Sequence, residues 1–442
     1  MYELDPSFYG SFYDDLLMVF NGDEQHLRRH WEEYGKKEGR FPNNYVKELY
    51  YSHYDYDAYL LYNSDLKHLS EEEARNHWIN QGLGQGRRYC HFQVSPLSHR
   101  LSNVRRYPYG VNILGYYDDG CGLGENGLSI AKALDMYAIP YEINKGTYGI
   151  NIITYDLSIL PDISPLTEGR VNIGVWAWEL EVSCPKRRGL PKLLDEIWTV
   201  SEFCKREAGN NAIVVKIPPS CLGCPKSVAE SRKEFDIPTE LFVCLFVFDF
   251  RSSYHRKNPL AVVEAFKRAF KEEQALLIIK ANYGSVSSSE RQELMSQLPT
   301  NCRLIEEEYN KDKVLSLINA CDVYMSLHRS EGSGLTMIEA MSMGKPVIAT
   351  NYSGNLDFMN DSNSLLVDWE YCDLQGYYAT LGLNCKWANP NIKTAATYLK
   401  MLYNHPELRD KYGKKAKDYI VKEWNRAGLA KFIKNRIDRY YK

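Results

Sequence analysis

The chain has 442 residues, room for about three domains, and 44% hydrophobic with 25% charged residues is the balance of a globular protein with a large core. A formal net charge of -3 argues against a role that depends on bulk positive charge, such as nucleic-acid or membrane-surface binding. Eleven irregularly spaced cysteines do not resemble a disulfide framework; with no apolar run of about eighteen residues and no basic-then-apolar start, the expectation is a cytoplasmic protein with reduced thiols.

The first hundred residues hold an internal repeat. "NGDEQHLRRHWEEYGKKEGR" ends at Arg40 and "NSDLKHLSEEEARNHWINQGLGQGR" ends at Arg87. Both share Asn-x-Asp, then His-Trp-x-x-x-Gly, then Gly-Arg. Each unit reads as a helix closed by a glycine cap, Gly35 or Gly82. Its Trp packs the unit and its His caps or hydrogen-bonds. Residues 1–93 are thus a predicted helical module that could bind a partner or order an oligomer. "YDYD", Tyr54 to Asp57, contains Asp-x-Asp; it reads as acids at a helix start, and no metal site is expected. Residues 94–110 are polar and contain proline, and read as a linker.

From Val111 the pattern becomes strands alternating with helices. "VNILGYY", "YEIN", "GINIITYD", "VNIGVWAW", "EIWTV" and "AIVVKIP" are short apolar runs. A second set begins near Leu241, with "LFVCLFVFDF", "ALLIIKA", "CRLIE", "DVYMSL" and "PVIAT". Alternation of this kind predicts parallel sheets covered by helices on both faces. The expected divisions are 111–220, 221–415 and a basic amphipathic helix over 416–442 that packs back on the domains. "IPPSCLGCP" is the predicted hinge; its Cys221 and Cys224 lack a second ligand pair and read as reduced thiols.

In "HRSEGSGLTMIEAMSMGKPVIAT", His328 to Thr350, a buried strand ends in a tight bend at Gly332-Ser333-Gly334. A helix follows, with Gly344 as its cap. The amides of Ser333, Gly334 and Leu335 precede the first helical bond and would bind an anion, aided by the helix dipole. Glu331 lies before the bend and Glu339 one turn into the helix. Carboxylates there would accept hydrogen bonds from the vicinal hydroxyls of two sugars flanking a diphosphate.

This string, E-x7-E followed by "AMSMGKPVIATNYSGNLDFM", resembles the donor motif of retaining GT-B glycosyltransferases of family 4. The resemblance runs from about Val111 to the C-terminus. It implies an α/β fold, GT-B, with two Rossmann-like domains facing a cleft and a small N-terminal helical extension. It implies transfer of a sugar from a UDP- or GDP-sugar to a glycan or glycoconjugate acceptor, with no cofactor and no metal. By position, Glu331 would face the donor sugar, Glu339 the ribose, and Ser333, Gly334 and Leu335 the diphosphate. Arg251 and Lys257, in "FDFRSSYHRKNPLAVVEAF", would stabilise charge on the leaving diphosphate, with Arg256 competing for the place of Arg251. The family usually has an aromatic where Ser333 stands. The repeat resembles short His-Trp-Gly-Gly-Arg units found beside some sugar-transfer enzymes.

"GCGLGENG" after "VNILGYY" is a Gly-x-Gly-x-x-Gly loop with Glu142 twenty residues beyond Gly122. Alone it also fits a dinucleotide fingerprint. The resemblance implies instead that Gly122 and Gly124 cover the donor phosphates. The family commonly has a histidine after a mid-domain strand. Here Glu179 follows "VNIGVWAW", and either it or nearby backbone takes that place. Trp176 and Trp178 are either sugar platforms or core. A nucleotide-sugar epimerase of GT-B type and a non-catalytic glycan-binding protein remain as alternatives.

Overall fold

The computed structural model describes residues 4–20, 22–35, 40, 54, 56–82, 104–117, 121–156, 163–183, 190–271 and 275–441. Residues 94–103 of the expected linker and the Gly-Arg end of the second repeat lie outside that set.

The two N-terminal units share one local design. Helices Pro6–Phe12, Asp14–Phe20 and Glu24–His30 form the first, and Tyr56–Tyr62 and Glu71–His77 the second. Asp23 caps one last helix and a Ser70–Glu73 capping box starts the other. Both helices widen into a π turn at their tryptophan, Trp31–Gly35 and Trp78–Gly82. Each histidine is bonded to a tyrosine hydroxyl, Tyr9 to His30 at 3.0 Å and Tyr59 to His77 at 2.7 Å. Gly35 and Gly82 are not the left-handed caps that the repeat suggested; neither has a positive φ. Gly35 is required by close approach, since a Cβ there would lie 2.0 Å from the Tyr9 hydroxyl.

Two six-stranded parallel sheets follow. In the first, β1 (Val111–Leu114), β2 (Tyr141–Ile143), β3 (Ile150–Ile153), β4 (Val171–Trp176), β5 (Glu196–Thr199) and β6 (Ile213–Val214) run in the order β2-β1-β3-β4-β5-β6. β1, β3 and β4 are buried along their whole length, as continuous apolar strands covered on both faces must be. Their second residues are all asparagine. Asn112 donates to Asn151 and Asn151 to Asn172, both at 2.8 Å, so a buried, satisfied amide ladder sets the register.

In the second sheet, β7 (Phe242–Asp249), β8 (Ala275–Asn282), β9 (Cys302–Ile305), β10 (Val323–Ser326), β11 (Val347–Thr350) and β12 (Leu365–Val367) run in the order β12-β11-β10-β7-β8-β9. The order reverses between β7 and β10, and between β1 and β3 in the first sheet. In open α/β sheets, ligands bind in the crevice beyond the carboxyl ends of strands at such a reversal.

An antiparallel hairpin, β13 (Trp369–Asp373) with β14 (Lys386–Pro390), was not anticipated. Its Tyr378 and Trp387 join one apolar layer with Leu114, Ile153, Trp176 and Trp178 of the first sheet and with Tyr54 and Trp78 of the second repeat. The repeat therefore shares a core with the first half. Trp176 and Trp178 are core residues, fully buried and 6% exposed. The expected single tail helix is two helices, Pro406–Glu423 and Arg426–Tyr441. Trp424 leaves helical geometry, and the Asn425 side chain accepts from the Gly428 amide to restart it. The first packs on the Leu335–Ser342 helix and the second on the Gly122–Asp135 helix. Among the described residues, no helix is long and apolar enough to cross a membrane.

Candidate active site

The site lies beyond the ends of β7 and β10. After β7 the chain makes a short 3-10 turn and reverses at Ser253, whose φ is +69°. A four-residue helix, Tyr254–Lys257, then presents Arg256 and Lys257 side by side. Asn258 donates to the Leu327 carbonyl at 2.9 Å, which fastens this segment to the exit of β10.

Glu331 is their common target. Lys257 Nζ lies 2.5 Å from Glu331 Oε1, and Arg256 Nη1 3.2 Å from Glu331 Oε2. Arg256 also donates to the Ser330 carbonyl at 2.9 Å. Burial opposes ionisation of Glu331, but the two cations outweigh it and hold the carboxyl at about 2. Burial pulls the Lys257 ammonium below its ordinary value, against the attraction of Glu331. His328 is fully buried, held low by burial, and bonded to Ser326, the Tyr352 carbonyl and Asn355.

The bend is pinned from several directions. The Glu331 amide donates to Ser353 Oγ at 2.8 Å, and the Gly354 amide to the Glu331 carbonyl at 3.0 Å. Gly334 is left-handed, with φ +100°, and the Leu335–Ser342 helix starts from it. The Met337 and Ile338 amides return to the Gly334 carbonyl, so the Leu335 and Thr336 amides come before the first helical bond. Ser333 is buried and Gly334 and Leu335 are half-buried.

The bend faces the first half. Ser201 Oγ donates to the Gly332 carbonyl at 2.6 Å, and Ala177, Val200 and Cys204 border Gly332. Across the interface, a Cβ on Gly122 would lie 3.9 Å from Leu335 Cδ1. The loop expected around Gly122 and Gly124 is the first turn of the Gly122–Asp135 helix. A Cβ at Gly124 would lie 1.9 Å from the Tyr116 carbonyl oxygen, so close packing requires a glycine there.

Glu179 arrives from the first half. Its Oε2 accepts from the Tyr378 hydroxyl at 3.0 Å and its Oε1 lies 3.6 Å from Arg256 Nη2. Glu339, only 1% exposed, is bonded to Lys311. Arg251 is placed elsewhere: it pairs with Asp249 at 3.0 Å and its guanidinium lies 3.5 Å over the Tyr283 ring. The resemblance paired Arg251 with Lys257, with Arg256 as its competitor; after the reversal at Ser253 it is Arg256 that lies against Glu331 beside Lys257. Tyr378 and Lys311 carry no motif of their own, and their placement comes from tertiary contact.

Comparison with solved structures decides the architecture. HepE of Anabaena in complex with UDP and glucose superposes with a TM-score of 0.57, at 13% identity, over 75% of this chain and 100% of that one. The fold is GT-B. Sucrose-phosphate synthase from Thermosynechococcus elongatus gives 0.57 at 12% identity, over 76% of this chain and 99% of that one. A glycosyltransferase from Rickettsia africae gives 0.53 at 14%, over 76% and 100%. Residues 227–373 match the family model Glycosyl transferases group 1. No curated protein matches the chain in sequence. The matched segment contains Arg256, Lys257, Lys311, Glu331 and Glu339; Glu179 and Tyr378 lie outside it. Both GT-B halves thus contribute side chains to one cluster at the reversal of the second sheet.

Proposed function

We propose that the chain is a retaining glycosyltransferase of family 4, which moves a sugar from a nucleoside-diphosphate donor to a hydroxyl of a glycan or other acceptor. The observation that carries this reading is the convergence of Lys257 and Arg256 on Glu331, beside a helix N-terminus that opens towards the opposite half. Two fixed cations and free first-turn amides are the groups needed where a diphosphate leaves and gathers charge. Glu331 then accepts from the donor sugar, and Glu339 from the ribose. Lys257 and Arg256 stabilise the leaving group, without a divalent cation or other cofactor. Arg256 is preferred to Arg251 because it is the arginine that touches Glu331. Glu179, hydrogen-bonded to Tyr378, faces this cluster from the acceptor side. Retention rests on the resemblance of the E-x7-E segment, and a cytoplasmic location on the nucleotide-sugar donor.

The solved HepE complexes hold UDP, or UDP-glucose, which favours UDP-sugars as the first donors to assay. The test is incubation with UDP- and GDP-sugars, with and without glycan acceptors and chelator, following nucleotide release and the anomeric product. Acceptor-dependent release that survives chelation, lost by orders of magnitude in Lys257→Ala, supports the proposal. Epimerised donor without acceptor, or no release with any acceptor, rejects it in favour of an epimerase or a binding protein.

A further inference from the structure

Glu339 is a nearly inaccessible carboxylate, and a buried ion without a partner is costly. Its partner is Lys311, the first residue of the Lys311–Ala320 helix, whose start is fixed by Asn310 accepting from the Lys313 amide at 2.9 Å. The same ammonium lies 3.1 Å from Glu125 Oε1, which belongs to the opposite half. Glu125 is itself held, since it accepts from the Ser220 amide in the hinge at 2.6 Å. One ammonium therefore joins a carboxylate of each half at the back of the proposed ribose site.

We infer that Lys311 is a positioning residue: it keeps Glu339 an acceptor-only carboxylate for the ribose hydroxyls and ties it to the other half through Glu125. This deepens the reading of Glu339 as the ribose contact and rests on it. The groups facing Glu339 are Lys311, Glu125 and, from β10, Tyr324, whose hydroxyl donates to Thr336 Oγ1 at 2.8 Å. Burial pushes the Glu339 carboxyl above its ordinary value, Lys311 pulls it back, and Glu125 adds to the rise. With Lys311 gone, burial and the like charge of Glu125 remain, and both favour the protonated form of Glu339. A carboxylate offers two acceptor oxygens to two vicinal hydroxyls, whereas the acid spends one oxygen as a donor.

The test is calorimetric binding of UDP, GDP and their 2'-deoxy counterparts to the full chain. The wild type should prefer the ribonucleotide by roughly tenfold or more, the worth of a bond to a charged acceptor. In Lys311→Met the preference should fall towards unity at neutral pH and return as pH rises and Glu339 ionises; Lys311→Arg should retain it. A purely structural loss would weaken both nucleotides equally and leave the ratio flat with pH. An unchanged ratio in a Lys311→Met protein that still binds overturns the inference and leaves the ribose assignment standing. A wild type that binds with no ribose preference overturns the assignment as well. Glu125→Gln provides a second arm should Lys311→Met not fold. It should keep the ribose preference but enlarge the free protein in small-angle scattering; wild-type dimensions would refute the tie between halves.

Discussion

Glu331 is buried at the meeting point of two cations, and its pH behaviour follows from that placement. An unfolded glutamate titrates near 4.3, and the folded one at about 2. The folded pKa is the lower, so the contribution is complete above the unfolded value and is lost as pH falls through the folded one. Glu331→Gln should therefore lower stability at neutral pH by about 3–5 kcal/mol, the cost of breaking a buried pair. It should also flatten the acid limb, and the two curves should converge towards about pH 2. Urea midpoints across a pH series measure both effects. At this scale Glu331 stood out beside a glycine bend, while Lys257, in a separate segment, was picked out only by the family resemblance. That Arg256 and not Arg251 lies against Glu331 was not legible, because the chain reverses between them at Ser253, whose φ is positive.

The bend and its helix separate two glycines by their roles. Gly334 sits at φ +100°, ψ 51°, where an L-residue is strained, and its added Cβ would lie 2.3 Å from Met337 Cε. The methionine tip can move, so backbone strain dominates, and Gly334→Ala should cost about 1–2 kcal/mol. Gly332 has ordinary contacts of 3.6 to 3.9 Å around a Cβ and no positive φ. Gly332→Ala should therefore be close to neutral in the same urea titration. Equal losses at both positions would contradict this account of the bend. The sequence showed that a turn lies here and that a helix follows. It did not show the π turns at Trp31 and Trp78, because α and π segments share the same apolar spacing over a single turn.

Across the molecule, the C-terminal helix Arg426–Tyr441 closes one face of the first sheet, with Leu429, Ala430, Ile433 and Ile437 in its core. Phe432 stacks edge-on against Trp198 at 5.1 Å, and Arg436 pairs with Glu196 at 2.9 Å. This helix, which follows the second half in sequence, thus completes the core of the first half. Ile433→Ala should cost about 2–5 kcal/mol, a cavity in a closed layer. Hydrogen exchange should rise in β1 to β5 more than in β7 to β11; a loss confined to the second sheet would contradict the packing.

The succession of strands along the chain, the two parallel sheets and the glycine bend with its flanking glutamates were written in local composition, because buried parallel strands are continuous apolar runs and tight turns need glycine. Which arginine meets Glu331, the approach of Tyr378 to Glu179, and Lys311 shared between Glu125 and Glu339 were decided by the tertiary structure alone. These contacts join residues 28 to 199 positions apart. Such meetings depend on how two sheets and a hairpin pack, and no spacing rule along the chain carries that information.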